Sequence, residues 1–229
     1  MPEAEPISRS AIALNNAGVN FLEHGYYAKA IDTFLCATRV LHHAVDPKVA
    51  IGDRHLTSMD VSPLVTCEAH RKPGSKDISI RDLTYSFQAM SSLHFDLHQL
   101  YAIRICDVRT MHYSNHTIQA AIIVINLGIA HLYAASQTKD IYRRREHLGQ
   151  SSAFFQISLK TLNQLSHEED EIFLIRQLAL YKMVALSGIL FAFPACEEAN
   201  EQFDDLFELV EELNDHIESV YITECAAAA

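Results

Sequence analysis

Apolar residues along this chain recur mostly at helical spacing. In the C-terminal quarter Phe203, Leu206, Phe207, Val210, Leu213, Ile217 and Val220 fall at i, i+3, i+4 and i+7, with acids between them. That spacing predicts an amphipathic helix with one buried stripe. Met183 to Phe193 is apolar nearly all round, as expected of a helix with neighbours on several sides, and Pro194 follows where a turn is required. Ile118 to Ala135 is equally apolar and reaches about 18 residues, the lower edge for a membrane span. It carries Gln119, Asn126 and His131, so a buried core helix is the expectation.

The period changes in one place. Leu93, Phe95, Leu97, Tyr101, Ile103 and Ile105 are apolar at odd positions, interrupted by Gln99. Alternation of this kind predicts an extended segment with one buried and one exposed face. It can pack on an outer surface, pair with a strand near residues 61–66, or lie in a groove as an internal ligand. Upstream, residues 71–77 form a turn signal, and Leu83, Phe87 and Met90 suggest a short helix.

Aligning the chain on its glycines exposes a repeat. Leu14-x2-Ala17-Gly18-x2-Phe21 is echoed by Val124-x2-Leu127-Gly128-x2-His131 and by Val184-x2-Ser187-Gly188-x2-Phe191. A second set follows in step: Ala30-x3-Phe34-x2-Ala37, Ser151-x3-Phe155-x2-Ser158 and Ala199-x3-Phe203-x2-Leu206. Where two helices cross closely a Cβ collides, so small residues sit at the contact with an aromatic beside it. The glycine-to-phenylalanine spacing is 16 residues in the first copy (18 to 34) and 15 in the third (188 to 203), but 27 in the second (128 to 155). An insertion around residues 136–148 is therefore expected in copy two.

These motifs resemble the tetratricopeptide repeat, a helical hairpin of about 34 residues that buries its apolar face only by stacking on copies of itself. The resemblance implies an all-α fold, an α-solenoid of three hairpins in one domain spanning 1–229. Repeat one would occupy 8–44, an insert 45–114, repeat two 115–165, and repeat three with an acidic terminal helix 168–222. It also implies a non-enzymatic interaction module or scaffold that holds a peptide or helix in its concave groove.

By the same resemblance, groove-facing positions are Ile12, Leu22, Glu23, Ile122, Ile125, Ile129, Leu132, Tyr133, Ala185, Ile189 and Phe193. In relatives that clamp a peptide carboxylate, Asn126 and Lys182 match the family's Asn and Lys. Asn15 and Val19 stand where Lys and Asn are expected, and Leu186 replaces a basic residue. Most of the clamp charge is missing. In so apolar a helix the amide of Asn126 is expected to satisfy a buried hydrogen bond.

Charge is segregated. The 229 residues hold 18 Lys+Arg and 29 Asp+Glu, a net of −11, and eleven of the acids lie beyond residue 195 with no Lys or Arg among them. Such a distribution argues against general nucleic-acid binding, which needs clustered cations. The one cationic run, Arg143-Arg144-Arg145, is either a solvated loop, a match for the acidic helix, or a docking point for an acidic partner.

Five dispersed cysteines and a polar start without a signal peptide suggest reduced thiols and a cytoplasmic or nuclear location, with no membrane partner. No phosphate-binding loop, nucleophile elbow or dinucleotide fingerprint is present, so no cofactor is expected. His94, Asp96 and His98 could share a face and hold a metal, but a site needs three or four converging ligands. They define the alternative reading, a metal-dependent or small-molecule enzyme. Self-association through the apolar groove or the acidic end is the other alternative.

Overall fold

A computed structural model describes residues 4–45, 102–105, 116–165, 172–194 and 196–227. Six helices account for almost all of them: α1 (Ala4–Glu23), α2 (Tyr27–Val45), α3 (His116–Gln137), α4 (Ile141–Asn163), α5 (Ile172–Ala192) and α6 (Glu197–Ala227). No strand occurs among the described residues, so the chain is all-α there. Each helix packs on the next in chain order, and α3 also touches α1 and α5.

The turns follow from local chemistry. Gly25 takes a φ of 77°, a left-handed conformation that costs an L side chain energy. With it there, the Tyr26 amide reaches back to Phe21 O at 2.9 Å and the Gly25 amide to Leu22 O at 3.0 Å. These are the paired bonds that close a helix on a C-terminal glycine. Between α5 and α6 the chain turns at Pro194, and Cys196 N bonds Phe193 O at 3.1 Å.

The connection between α3 and α4 differs from the expectation. The extra residues around 136–148 do not form a loop, since only residues 138–140 separate the two helices. Eleven additional residues amount to about three helical turns, and they lengthen α3 and α4 instead. Asp140 starts α4 by accepting from Tyr142 N at 2.9 Å and Arg143 N at 3.4 Å. A carboxylate in that position satisfies otherwise unpaired amides of the first turn.

Small residues meet aromatics at the crossings. A Cβ added to Gly18 would lie 2.6 Å from the Phe34 ring, and one on Gly128 would lie 2.9 Å from that of Phe155. Gly188 does not have Phe203 of α6 as its nearest ring. Its closest neighbour is again Phe155, at 2.2 Å from an added Cβ. Phe155, fully buried, is thus a wedge gripped between α3 and α5. Ser151 reinforces the same crossing by donating to Gly128 O at 2.9 Å.

With α1, α2, α4 and α5 around it, α3 is buried on every side, which accounts for its membrane-like composition. Among the described residues it is the one helix long and apolar enough to cross a membrane, and most of it lies inside the protein. In α6 one stripe, Ala199, Phe203 and Val210, joins the core, while Glu197, Glu198, Glu201, Asp204, Asp205, Glu208, Glu211, Glu212 and Asp215 are exposed. The turn at 71–77, the helix at 83–90 and most of the alternating stretch lie outside the described residues.

Candidate functional site

On α1, Ile12, Asn15, Asn16, Val19, Leu22 and Glu23 recur at i, i+3 and i+4, which brings them to one side of the helix. Val19, Leu22 and Ile12 are buried in the same core cluster as Ile122, Ile125 and Ile129 of α3. Residues 102–105 lie against α1 and α3, and three asparagine side chains hold them.

Asn126 is fully buried, and all its polar capacity turns to this contact. Its Oδ1 accepts from Ile103 N at 2.7 Å, and its Nδ2 donates to Ile103 O at 2.8 Å and to Asn15 Oδ1 at 2.8 Å. Asn15, also fully buried, donates from Nδ2 to Ile103 O at 3.1 Å. Two residues on, Asn16 repeats the arrangement: Oδ1 accepts from Ile105 N at 3.0 Å and Nδ2 donates to Ile105 O at 2.9 Å.

An amide side chain offers one donor face and one acceptor, as a peptide unit does, so each asparagine takes the place of a neighbouring strand. Engagement of both backbone groups at residues i and i+2 marks an extended chain, whose alternate residues point N–H and C=O to the same side. The network also fixes each amide's orientation, since only Oδ1 of Asn126 can accept from Ile103 N.

The side chains of this segment depart from the expected one-sided burial. Ile103 and Ile105 are buried, but so is Ala102, and the Arg104 side chain is only 15% exposed. Both faces are covered because the segment rests in a crevice between helices. Arg104 pairs through Nη2 with Glu23 Oε2 at 2.5 Å, and Nη1 donates to Asn16 O at 3.4 Å. Its buried Nε–H has no partner among the described residues.

The other expected binding residues divide between the core cluster and the surface. Val19, Leu22, Ile122, Ile129 and Ile189 are core residues. Tyr133 is half-buried and stacks on Tyr27, with ring centroids 5.6 Å apart. Lys182 is half-buried on α5, and desolvation holds its ammonium below the ordinary lysine range. Arg143, Arg144 and Arg145 are exposed on the first turns of α4, not in a loop, and Arg143 lies 4.0 Å from Asp140.

A second polar pair lies between α3 and α4. His131 Nδ1 and His147 Nδ1 are 3.0 Å apart, so one must donate and the other accept. Burial first, and the neighbouring charge of His147 second, pull His131 down to about 4. No group of three or more His, Cys, Asp or Glu that could hold a metal occurs among the described residues. His94, Asp96 and His98 lie outside them.

Asn16 was not singled out from the sequence, although it does the same work as its neighbours. The available signal was the Asn15-Asn16 doublet on an apolar helix, together with an alternating segment lacking an evident partner strand. A buried backbone must pair its polar groups, and with no strand beside it among the described residues, side-chain amides supply both donor and acceptor. Compared with models of known families, with curated proteins and with solved structures, the chain finds no match.

Proposed function

We propose that the protein is a tetratricopeptide-like interaction module, three helical hairpins stacked as an α-solenoid, whose concave face binds an extended peptide. The first helices of successive hairpins, α1 and α3, would line that face. The observation that carries the reading is the pairing of Asn15, Asn16 and Asn126 with the backbone of Ile103 and Ile105. Side-chain amides aimed at main-chain groups read a peptide irrespective of its sequence, while the apolar walls beside them read its side chains.

Succession of helices in chain order and the glycine–aromatic crossings support the stacked arrangement. A repeat crevice that already accommodates four residues of extended chain has the width and hydrogen-bonding pattern that such a ligand requires. Selection from a random-peptide display library on the full-length protein tests this reading, with an Arg104→Glu variant in parallel to weaken the resident segment. Peptides whose capture is lost on Asn126→Ala, with helicity unchanged, are the expected result. Enrichment of no peptide by either protein, or capture indifferent to Asn15 and Asn126, would sink the proposal.

A further inference from the structure

The resident segment describes more than a backbone track. Its apolar residues and its cation meet different surroundings. Ala102, Ile103 and Ile105 are buried and join the cluster that holds Ile12, Val19, Leu22, Ile122 and Ile125. Between the two isoleucines, Arg104 turns to the carboxylate of Glu23. Extended chain places Ile103 and Ile105 on one side and Arg104 on the other, so the crevice reads two faces at once.

We propose that this crevice takes, from a partner protein, an extended segment of the pattern small, branched apolar, cation, branched apolar, and that residues 102–105 are the resident segment it must displace. This rests on the peptide-binding reading above and adds the ligand's chemistry and its competition with the chain itself.

Two observations favour displacement over a permanent fixture. The contact is closed by side chains rather than by a neighbouring strand, so a second extended chain can make the same bonds one for one. The guanidinium is also incompletely satisfied, since Arg104 Nε–H is buried without a partner among the described residues. A buried donor left unpaired weakens the resident's hold, and a ligand with lysine at that position would carry no such group.

Glu23 supplies the selectivity. Its carboxylate is the acidic group paired with Arg104, and an acid at the ligand's third position would face it unpaired. The exposed acids of α6 have no part in this contact among the described residues. A tethered segment has an effective concentration on the order of millimolar, so a free copy binds the intact protein weakly.

The test uses the full chain and a fluorescent synthetic peptide, Gln-Leu-Tyr-Ala-Ile-Arg-Ile-Ser-Asp, read by anisotropy. Arg104→Glu, which sets the resident against Glu23 while keeping both isoleucines, should bind it at least tenfold more tightly than wild type. A peptide with Glu in place of Arg should bind that variant about tenfold more weakly. Adding Glu23→Arg should reverse the order of the two peptides. An Ile103→Ser, Ile105→Ser variant provides a second way of emptying the crevice, with circular dichroism to check its helices.

Binding that depends on Asn126 but ignores the peptide's charge would overturn the cation assignment and leave the peptide-binding reading standing. No binding to any folded variant would overturn both. Concentration-dependent dimers of wild type that vanish in the Ile103→Ser, Ile105→Ser variant would make the incoming segment a second copy of this chain, and would overturn the assignment to a partner.

Discussion

Replacing Asn126 with leucine removes three hydrogen bonds while keeping the branching of the side-chain heavy atoms. Ile103 N–H loses its partner at 2.7 Å, and Asn15 Oδ1 loses the donor at 2.8 Å, whereas Ile103 O keeps Asn15 Nδ2 at 3.1 Å. Two buried groups left unpaired cost about 1–3 kcal/mol each, so the docked state should lose about 2–6 kcal/mol. The molecule has a cheaper response than global unfolding. It can release residues 102–105 to water, forfeiting the burial of two isoleucines at about 1.5–3 kcal/mol apiece.

The predicted signature is therefore local. Amide exchange at Ile103 and Ile105 should accelerate together by about 30-fold to over ten-thousand-fold, while amides of α3 and α4 keep most of their protection. Asn126→Asp sharpens the test. At neutral pH a carboxylate there cannot donate to Ile103 O or Asn15, so it should release the segment, and protonation should partly restore the contact. Residue-resolved hydrogen exchange with a urea melt measures both quantities. Unchanged protection at Ile103 and an unchanged melting midpoint in Asn126→Leu would refute the role assigned to the amide.

Three further outcomes follow from the geometry. Gly188→Ala drives a Cβ to 2.2 Å from a Phe155 ring that Gly128 already confines on another side, so it should cost about 1–3 kcal/mol by thermal melting. Phe155→Leu in the same protein should relieve part of that strain, and Gly149→Ala, where nothing lies within 4 Å, should stabilise by about 0.5–1 kcal/mol through helix propensity. His131 is held near 4 when folded against 6.5 when free, so the unfolded chain binds the extra proton between those values. Its contribution, about 3 kcal/mol, is present above pH 6.5 and is lost as pH falls towards 4. His131→Gln should flatten the stability profile over that window, and an identical slope in variant and wild type would contradict the assignment. Removing the Asp140 cap with Asp140→Ala should destabilise by about 1 kcal/mol and fray the first turn of α4, which carries the arginine run; circular dichroism and exchange at Tyr142 check this.

Helices were legible because their signal is local. The i, i+3, i+4 spacing of Phe203 to Val210 and the near-continuous apolarity of residues 118–135 express helical geometry whatever surrounds them. The glycine alignment located the close crossings, because a missing Cβ is written in the residue itself. Which ring fills a crossing was not legible: Gly188 meets Phe155 of α4, a choice made by how α4 inserts between α3 and α5. The extra residues of the second copy were visible as spacing, yet only the Asp140 cap and the helices on either side show that they extend α3 and α4.

The site divides the same way. Sequence alone determined the helices of the described residues, an alternating apolar pattern at 93–105 and a buried asparagine at 126 that had to find partners. Tertiary structure alone decided that those partners are Ile103 and Asn15, that Asn16 repeats the grip on Ile105, and that Arg104 meets Glu23 across 81 positions of chain. Apolar spacing encodes which face of an element is buried. It carries no information on which distant backbone that face will meet, because hydrogen-bond pairing depends on two segments arriving at one place.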